Sequence, residues 1–280
     1  MTDQDRERQY TMGRSDEETE RLIEQSRLLR PITERFLRSA GLARGMRVLD
    51  IGSGAGDVAL VAAELVGPEG EVVGVDMNPE ILETARERVR QAGHRNVKFL
   101  AGDVHTLDTG GDFDALIGRL VLMYLPDPVA TLKQLITRLR PRGLVVFQEI
   151  DFTMTRSYSN EDTPLMRQMV DWIIDVFERS GANPNMGLDL HRVFIEAGLP
   201  EPTLDAGMLL GGSADWPGYS YIANSFRSVV PLLEHYGIAT AEEVDIDTIP
   251  WRVREEIVAA KRPVVIPPHI GAWARKCENQ

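Results

Sequence analysis

The feature that most constrains this chain is a change of rhythm near residue 46. From there, strand-like runs at 47–51, 71–75, 97–101, 113–118 and 144–150 alternate with helical patterns at about 55–65, 79–91 and 128–139. Such alternation implies an α/β fold, a mostly parallel sheet with helices on both faces. A parallel strand pair needs a long crossover, and the crossover helix must bury its own apolar stripe. Asn78-Pro79 and Asp127-Pro128 each join a capping residue to a proline at the first helical position. The first strand runs directly into VLDIGSGAGD, residues 48–57, with glycines at 52, 54 and 56. A loop of this kind starts a helix and lets a ligand approach its backbone closely.

Outside that region the pattern is helical. Ser15 followed by Glu18 reads as a capping box, and Leu22, Ile23 and Leu29 recur at helical spacing. A second short helix is predicted from Pro31 through Phe36 and Leu37 to a stop at Gly41. Beyond Asp151, the stripe Leu165, Met166, Met169, Val170, Ile173, Val176 and Phe177 reads as core packing. A helix is expected over 188–197, a strand over 203–210, helical structure over 213–261 and a last strand over 269–276. The helical insertion is long for a mere connection. Its Trp216, Tyr219, Tyr221 and Phe226 suit a flat or greasy ligand, and core burial explains them equally well.

Composition narrows the function. The 280 residues suit one large α/β domain, or a core with an appendage. A net charge of −12 argues against a broad phosphate-binding surface and so against nucleic acid. Cys277 is the single cysteine, which excludes an internal disulfide and a Cys-based metal cluster. The five histidines offer no metal-ligand spacing, and Ser53 lacks the register of a nucleophile elbow. No apolar run is long enough to span a bilayer, and the N-terminus MTDQDRERQY has neither a secretory nor an organellar character. A cytoplasmic location with no membrane insertion is expected. A homodimer is only the default assumption for oligomeric state.

The glycine loop alone does not name its ligand. A dinucleotide-binding loop wants a small third residue where this chain has Asp57. Asp76, ending the second strand, is placed to accept hydrogen bonds from a ribose diol, which NAD and other adenosine ligands share. An NAD(P)-dependent oxidoreductase therefore stays an alternative, with Asp57 and the Gly102-Asp103 turn against it.

The ordered set is more specific: VLDIGSGAGD, VVGVDMNPEIL (72–82), FLAGDVHTL (99–107), FDALIGRLVLMYLPDP (113–128) and LRPRGLVVFQEID (139–151). With these in sequence the chain resembles the class I S-adenosylmethionine-dependent methyltransferases, most closely small-molecule members of the ubiquinone/menaquinone-biosynthesis type. The resemblance is strong over residues 46–151 and weak elsewhere. It implies a Rossmann-like doubly wound seven-stranded sheet with an antiparallel last strand. It also implies N-terminal helices over 1–44, a core over 45–212, a helical cap over 213–262 and a final strand and tail over 263–280.

Residue by residue, the resemblance implies that Gly52, Ser53 and Gly54 bring backbone to the methionine part of S-adenosylmethionine, with Asp50 orienting its amino group. Asp76 would hold the ribose hydroxyls, Met77 the adenine face, Asp103 the adenine amino group and Val104 the ring through its N–H. Arg119 would contact the methionine end by main chain. A pattern like Tyr10…Gly13-Arg14…Glu18…Arg21-Leu22…Gln25 folds over the cofactor in such relatives, so Tyr10 and Gln25 would touch it. An ordinary surface helix is the other reading of that pattern. Two departures are Ser53, where Cys is frequent, and Arg142, in place of the glycine of a Pro-Gly-Gly turn.

Ligands of open α/β sheets lie beyond the carboxyl ends of the strands. Tyr124, Glu149 and Asp151 are therefore the candidates beside a small-molecule methyl acceptor. Asp151 is the first choice for a base or orienting group and Glu149 the second; capping of a following loop is the alternative role for either. His269 follows Pro267-Pro268 near the last strand, and its spacing assigns it no role. A non-catalytic S-adenosylmethionine-binding regulator and methylation of a macromolecule are the remaining alternatives.

Overall fold

The structure is a computed structural model that describes residues 16–158 and 162–278, without the side chains of 16–27. The capping box at Ser15–Glu18, Tyr10 and the side chain of Gln25 lie outside what it describes. The strands of the main sheet are β1 (Arg47–Ile51), β2 (Glu71–Asp76), β3 (Val97–Ala101), β4 (Phe113–Arg119), β5 (Leu139–Ile150), β6 (Thr203–Gly207) and β9 (His269–Arg275). They form a seven-stranded sheet in the order β3-β2-β1-β4-β5-β9-β6. The first five pair in parallel, and β9 runs antiparallel to both β5 and β6. The strand order reverses between β1 and β4, so the switch point at which sheets of this kind bind ligands lies at the carboxyl ends of those two strands.

Two compact units are present. One comprises Ser26–Ile150, Asn185–Gly207 and the chain from His269 onward. Here α2 (Asp57–Val66) and α3 (Pro79–Gln91) pack on the sheet. Nine of the ten residues of α2 are buried, which explains its nearly unbroken apolar sequence. The more polar α3 buries only Leu82, Ala85 and Val89, at helical spacing. The other face carries α4 (Pro128–Leu135) and α7 (Met186–Glu196), whose Phe194 meets Phe147 of β5 edge-on.

The second unit draws on Asp151–Pro184 and Met208–Pro268. It contains α5 (Thr153–Tyr158), α6 (Pro164–Ser180), α8 (Gly218–Arg227), α9 (Val230–His235), α10 (Ala241–Val244) and α11 (Ile249–Ala260). The expectation assigned 151–184 to the sheet domain. Instead Met166, Met169 and Val176 of α6 share one core with Tyr219, Phe226, Leu233, Val253 and Ile257. Glu256 of α11 ties the start of α6 to this core, its carboxylate accepting the N–H groups of Leu165 and Met166. Trp216 packs against Gly211 and Gly218, where a Cβ would come within 2.1 and 2.2 Å of its ring. Trp216, Tyr219 and Phe226 thus pack within this core.

Three local differences have physical causes. α1 (Asp16–Ala40) is one continuous helix with Pro31 inside it, not two. A proline there removes a hydrogen bond, but Leu29, Ile32, Phe36 and Leu37 on either side are all buried and hold the helix together. The strand expected over 203–210 divides: β6 ends at Gly207, where a Cβ would meet Ile32 at 2.6 Å, and β7 (Leu210–Gly211) pairs with β8 (Val264–Val265) in a separate two-stranded sheet. β5 begins at Leu139, not 144. Its ladder with β4 shifts between Phe113 and Ala115, and Arg142 takes a φ of 63°.

Candidate functional site

The site grows from the end of β1. Gly52, Gly54 and Gly56 have φ values of 62°, 50° and 81°, and α2 starts at Asp57. A Cβ on Gly52 would come within 2.7 Å of Val121, whereas one on Gly54 would meet nothing within 4 Å. Gly52 therefore closes against the chain beyond β4, while Gly54 leaves its backbone open. Gly54 N–H donates to Asp76 Oδ2 and Asn78 N–H to Asp76 Oδ1, each at 2.9 Å. One buried carboxylate at the end of β2 thus organises both the glycine loop and the entry to α3.

Asp50 lies beneath this loop and is fully buried. Among the described residues, neither of its carboxylate oxygens has a hydrogen-bond partner. Burial pushes the carboxyl up to about 7, against the pull of Arg119 and of the nearby Ser53 hydroxyl, which donates to the Asp50 main-chain carbonyl at 3.0 Å and not to the carboxylate. An orphaned buried carboxylate is costly unless a donor meets it.

Asp57, the residue that breaks the dinucleotide fingerprint, bridges two arginines. Its Oδ1 accepts from Arg88 Nη1 at 2.5 Å and its Oδ2 from Arg119 Nη2 at 3.0 Å. Arg88 also donates to the Ala55 carbonyl at 2.6 Å, so it braces the loop from α3. Arg119 Nη1 continues to Thr33 Oγ1 at 3.2 Å. Thr33 donates to Gln148 Oε1 at 2.8 Å, and Gln148 Nε2 lies 3.1 Å from His269 Nδ1. The sequence reading missed Thr33, Arg88 and Gln148, and no spacing signal could have found them. Thr33 and Gln148 are 115 positions apart.

At the carboxyl end of β5, Glu149 is fully buried and its Oε1 accepts the N–H groups of Val121 and Leu122, at 3.0 and 2.9 Å. It thereby caps the short 3₁₀ turn Leu122–Tyr124 that carries Tyr124. Burial pushes this carboxyl up to about 7, opposed by those backbone donors. Leu120, just before the turn, has a φ of 54°, an uncommon conformation for so bulky a residue. Asp151, in the helical unit, is buried and accepts from Thr153 N–H at 3.0 Å at the start of α5.

On the far side of β2, Met77 is 55% exposed. Asp103 Oδ1 accepts from His105 N–H at 2.9 Å, and the Val104 carbonyl accepts from Arg138 at 2.6 Å. His105 is held to α4 through Gln134 at 2.9 Å. The structure thus brings Asp50, the glycines, Asp76, Arg119 and Glu149 to one edge of one unit.

The family described as "Methyltransferase domain" matches residues 42–198. This chain belongs to that family, the class I S-adenosylmethionine-dependent methyltransferases. An arsenite methyltransferase of Halobacterium salinarum is 37% identical over 112 residues, 40% of this chain and 29% of that protein. A demethylmenaquinone methyltransferase of Lactococcus lactis is 28% identical over 145 residues, 51% of this chain and 58% of that protein. The chain therefore spans less than two thirds of the length of these relatives. The YcgJ protein from Bacillus subtilis shares the fold, with a TM-score of 0.55 at 19% identity over 88% of this chain and 98% of that one.

S-adenosylmethionine is the methyl donor of the family, and the residues present suit it. The orphaned Asp50 carboxylate suits an ammonium group, the open backbone at Gly54 suits close approach, and Asp76 presents a carboxylate beside an exposed Met77. No helix among the described residues is long and apolar enough to cross a membrane.

Proposed function

We propose that this methyltransferase moves a methyl group from S-adenosylmethionine to a small, apolar or aromatic metabolite. The observation that carries this reading is the buried Asp50 carboxylate, with both oxygens unpartnered among the described residues beneath an open glycine loop. A group in that state calls for a cationic donor, and the cofactor's ammonium is one. When bound, S-adenosylmethionine supplies a methyl carbon activated by an adjacent sulfonium. Asp76 would accept from the ribose hydroxyls, Met77 would cover the adenine, and Asp103 and Val104 would hold its edge. Gly52, Ser53, Gly54 and the main chain at Arg119 would surround the methionine part, with Tyr10 and Gln25 closing over it.

In-line displacement asks chiefly for alignment and exclusion of water. Tyr124 and Asp151 are the proposed acceptor-side groups, Asp151 orienting the acceptor or taking its proton where it must lose one. Glu149 Oε1 already holds the 121–122 turn, so any role toward the acceptor falls to Oε2. The helical segment 213–262 is proposed as the cap of the acceptor site. A flat, quinone-like acceptor accords with the demethylmenaquinone methyltransferase relative, and the net charge of −12 accords with a small molecule over a nucleic acid. The single cysteine accords with a reducing cytoplasm, and natural-product biosynthesis is a setting in which such an acceptor would arise.

Calorimetry on the purified protein tests the cofactor. Binding of S-adenosylhomocysteine without binding of NAD supports the proposal, and the reverse overturns it. Tritium transfer from labelled S-adenosylmethionine across a panel of phenols, quinols and amines would then identify the acceptor class.

A further inference from the structure

His269 opens β9 opposite Ile150, at the carboxyl edge of the sheet, and is 2% exposed. Its neighbours along one face of the sheet form a chain of hydrogen bonds whose direction is forced at one end. A guanidinium only donates, so Thr33 Oγ1 must accept from Arg119. Thr33 has one proton, and the acceptor it faces is Gln148 Oε1 at 2.8 Å. The Gln148 amide is thereby oriented with its NH₂ toward His269, 3.1 Å from Nδ1. An NH₂ group facing Nδ1 needs a lone pair there, so the imidazole proton belongs on Nε2. A second proton, on Nδ1, would oppose the Gln148 donor inside a buried site.

We infer that Asp57, Arg119, Thr33 and Gln148 are positioning residues that fix the His269 imidazole as an uncharged Nε2–H donor at the edge of the sheet where the methyl acceptor would bind. Asp57 belongs to the set because it holds Arg119 Nη2 at 3.0 Å and so aims the other guanidinium nitrogen at Thr33. Burial, and after it the field of Arg119, pushes His269 down to about 3. His269 therefore serves as a fixed donor and not as a base. The use made of this donor rests on the methyl-transfer reading, while its tautomer does not.

Nitrogen-15 NMR of the full chain labelled at histidine tests this directly, with the His269 resonances assigned by their loss in His269→Asn. In the parent, Nδ1 is expected at the shift of an unprotonated nitrogen and Nε2 at that of a protonated one, unchanged from about pH 5.5 to 8. Thr33→Val removes the hydroxyl and frees the amide to turn, so the two tautomers should mix; Thr33→Ser should restore the parent spectrum. Gln148→Glu should move the proton to Nδ1 and bring His269 into the titrating range. A parent His269 that titrates near the usual value, or a Thr33→Val spectrum identical to the parent in a folded protein, overturns the inference. Failure of the methyl-transfer reading would show up separately, as absence of S-adenosylhomocysteine binding in the calorimeter.

Discussion

The N–H of Gly54 donates to Oδ2 of Asp76 at 2.9 Å, which joins the end of β2 to the middle of the glycine loop. The other oxygen of that carboxylate takes Asn78 N–H. Asp76 therefore shapes the loop as well as being the group proposed to hold the ribose. Asp76→Ala should weaken S-adenosylhomocysteine binding by about 2–3 kcal/mol, about 30- to 150-fold in the dissociation constant. Asp76→Asn, which keeps one acceptor for Gly54, should lose less. Titration calorimetry of both variants measures this, and parent-like binding by Asp76→Ala removes the ribose assignment.

Asp50 makes binding and stability depend on pH. Its carboxyl rises from 3.8 to about 7 on folding, because burial disfavours the charge. Its contribution to stability is thus full below 3.8 and is lost as pH rises toward 7. Glu149 has the same sign between 4.5 and about 7. Denaturant midpoints of the ligand-free protein should fall across that window, and Asp50→Asn should flatten the fall. An ammonium beside Asp50 favours the charged form, so S-adenosylhomocysteine affinity should rise between about pH 5.5 and 8. In Asp50→Asn the affinity should be weaker and its pH slope smaller.

Asp57→Ala should be among the costliest single changes in the sheet unit. It strips the carboxylate from Arg119 and Arg88, whose side chains are only 9% and 16% exposed. Leaving a buried charge without its partner costs about 3–5 kcal/mol. A large drop in the thermal midpoint is expected, with Asp57→Asn intermediate because its amide oxygen still accepts one guanidinium.

Arg142 sits at a φ of 63°, where the related pattern carries glycine. Its ion pair with Glu278 joins side chains 71% and 68% exposed and contributes little. Arg142→Gly should raise stability by about 0.5–1 kcal/mol in urea unfolding, the left-handed strain relieved outweighing the backbone entropy lost. Arg142→Ala keeps the strain and should bring no gain.

Much of this protein was legible because the signals are local. The strands from β1 to β4 and the last strand emerged from short apolar runs, and Asn78 and Asp127 cap α3 and α4 through their side chains as a capping residue followed by proline predicts. Pro31 misled because local chemistry disfavours a mid-helix proline, and only the burial of Leu29, Ile32 and Phe36 outweighs it. The stripe on α6 was recognised as core, but periodicity does not say which core it enters; here it packs with α8 and α11. Glu149 shows the same limit: its position at the end of β5 could be read, and its two backbone partners at Val121 and Leu122 could not.

By itself the sequence determined the parallel sheet, the glycine loop and the family, since period, turn chemistry and motif order all reside in neighbouring residues. Only the tertiary structure decided that Asp57 bridges two arginines, that the Asp50 carboxylate has no partner among the described residues, and that Thr33, Gln148 and His269 form one chain. Those relations join residues far apart along the chain. Such contacts cost loop-closure entropy that only the whole fold repays, so no local pattern announces them.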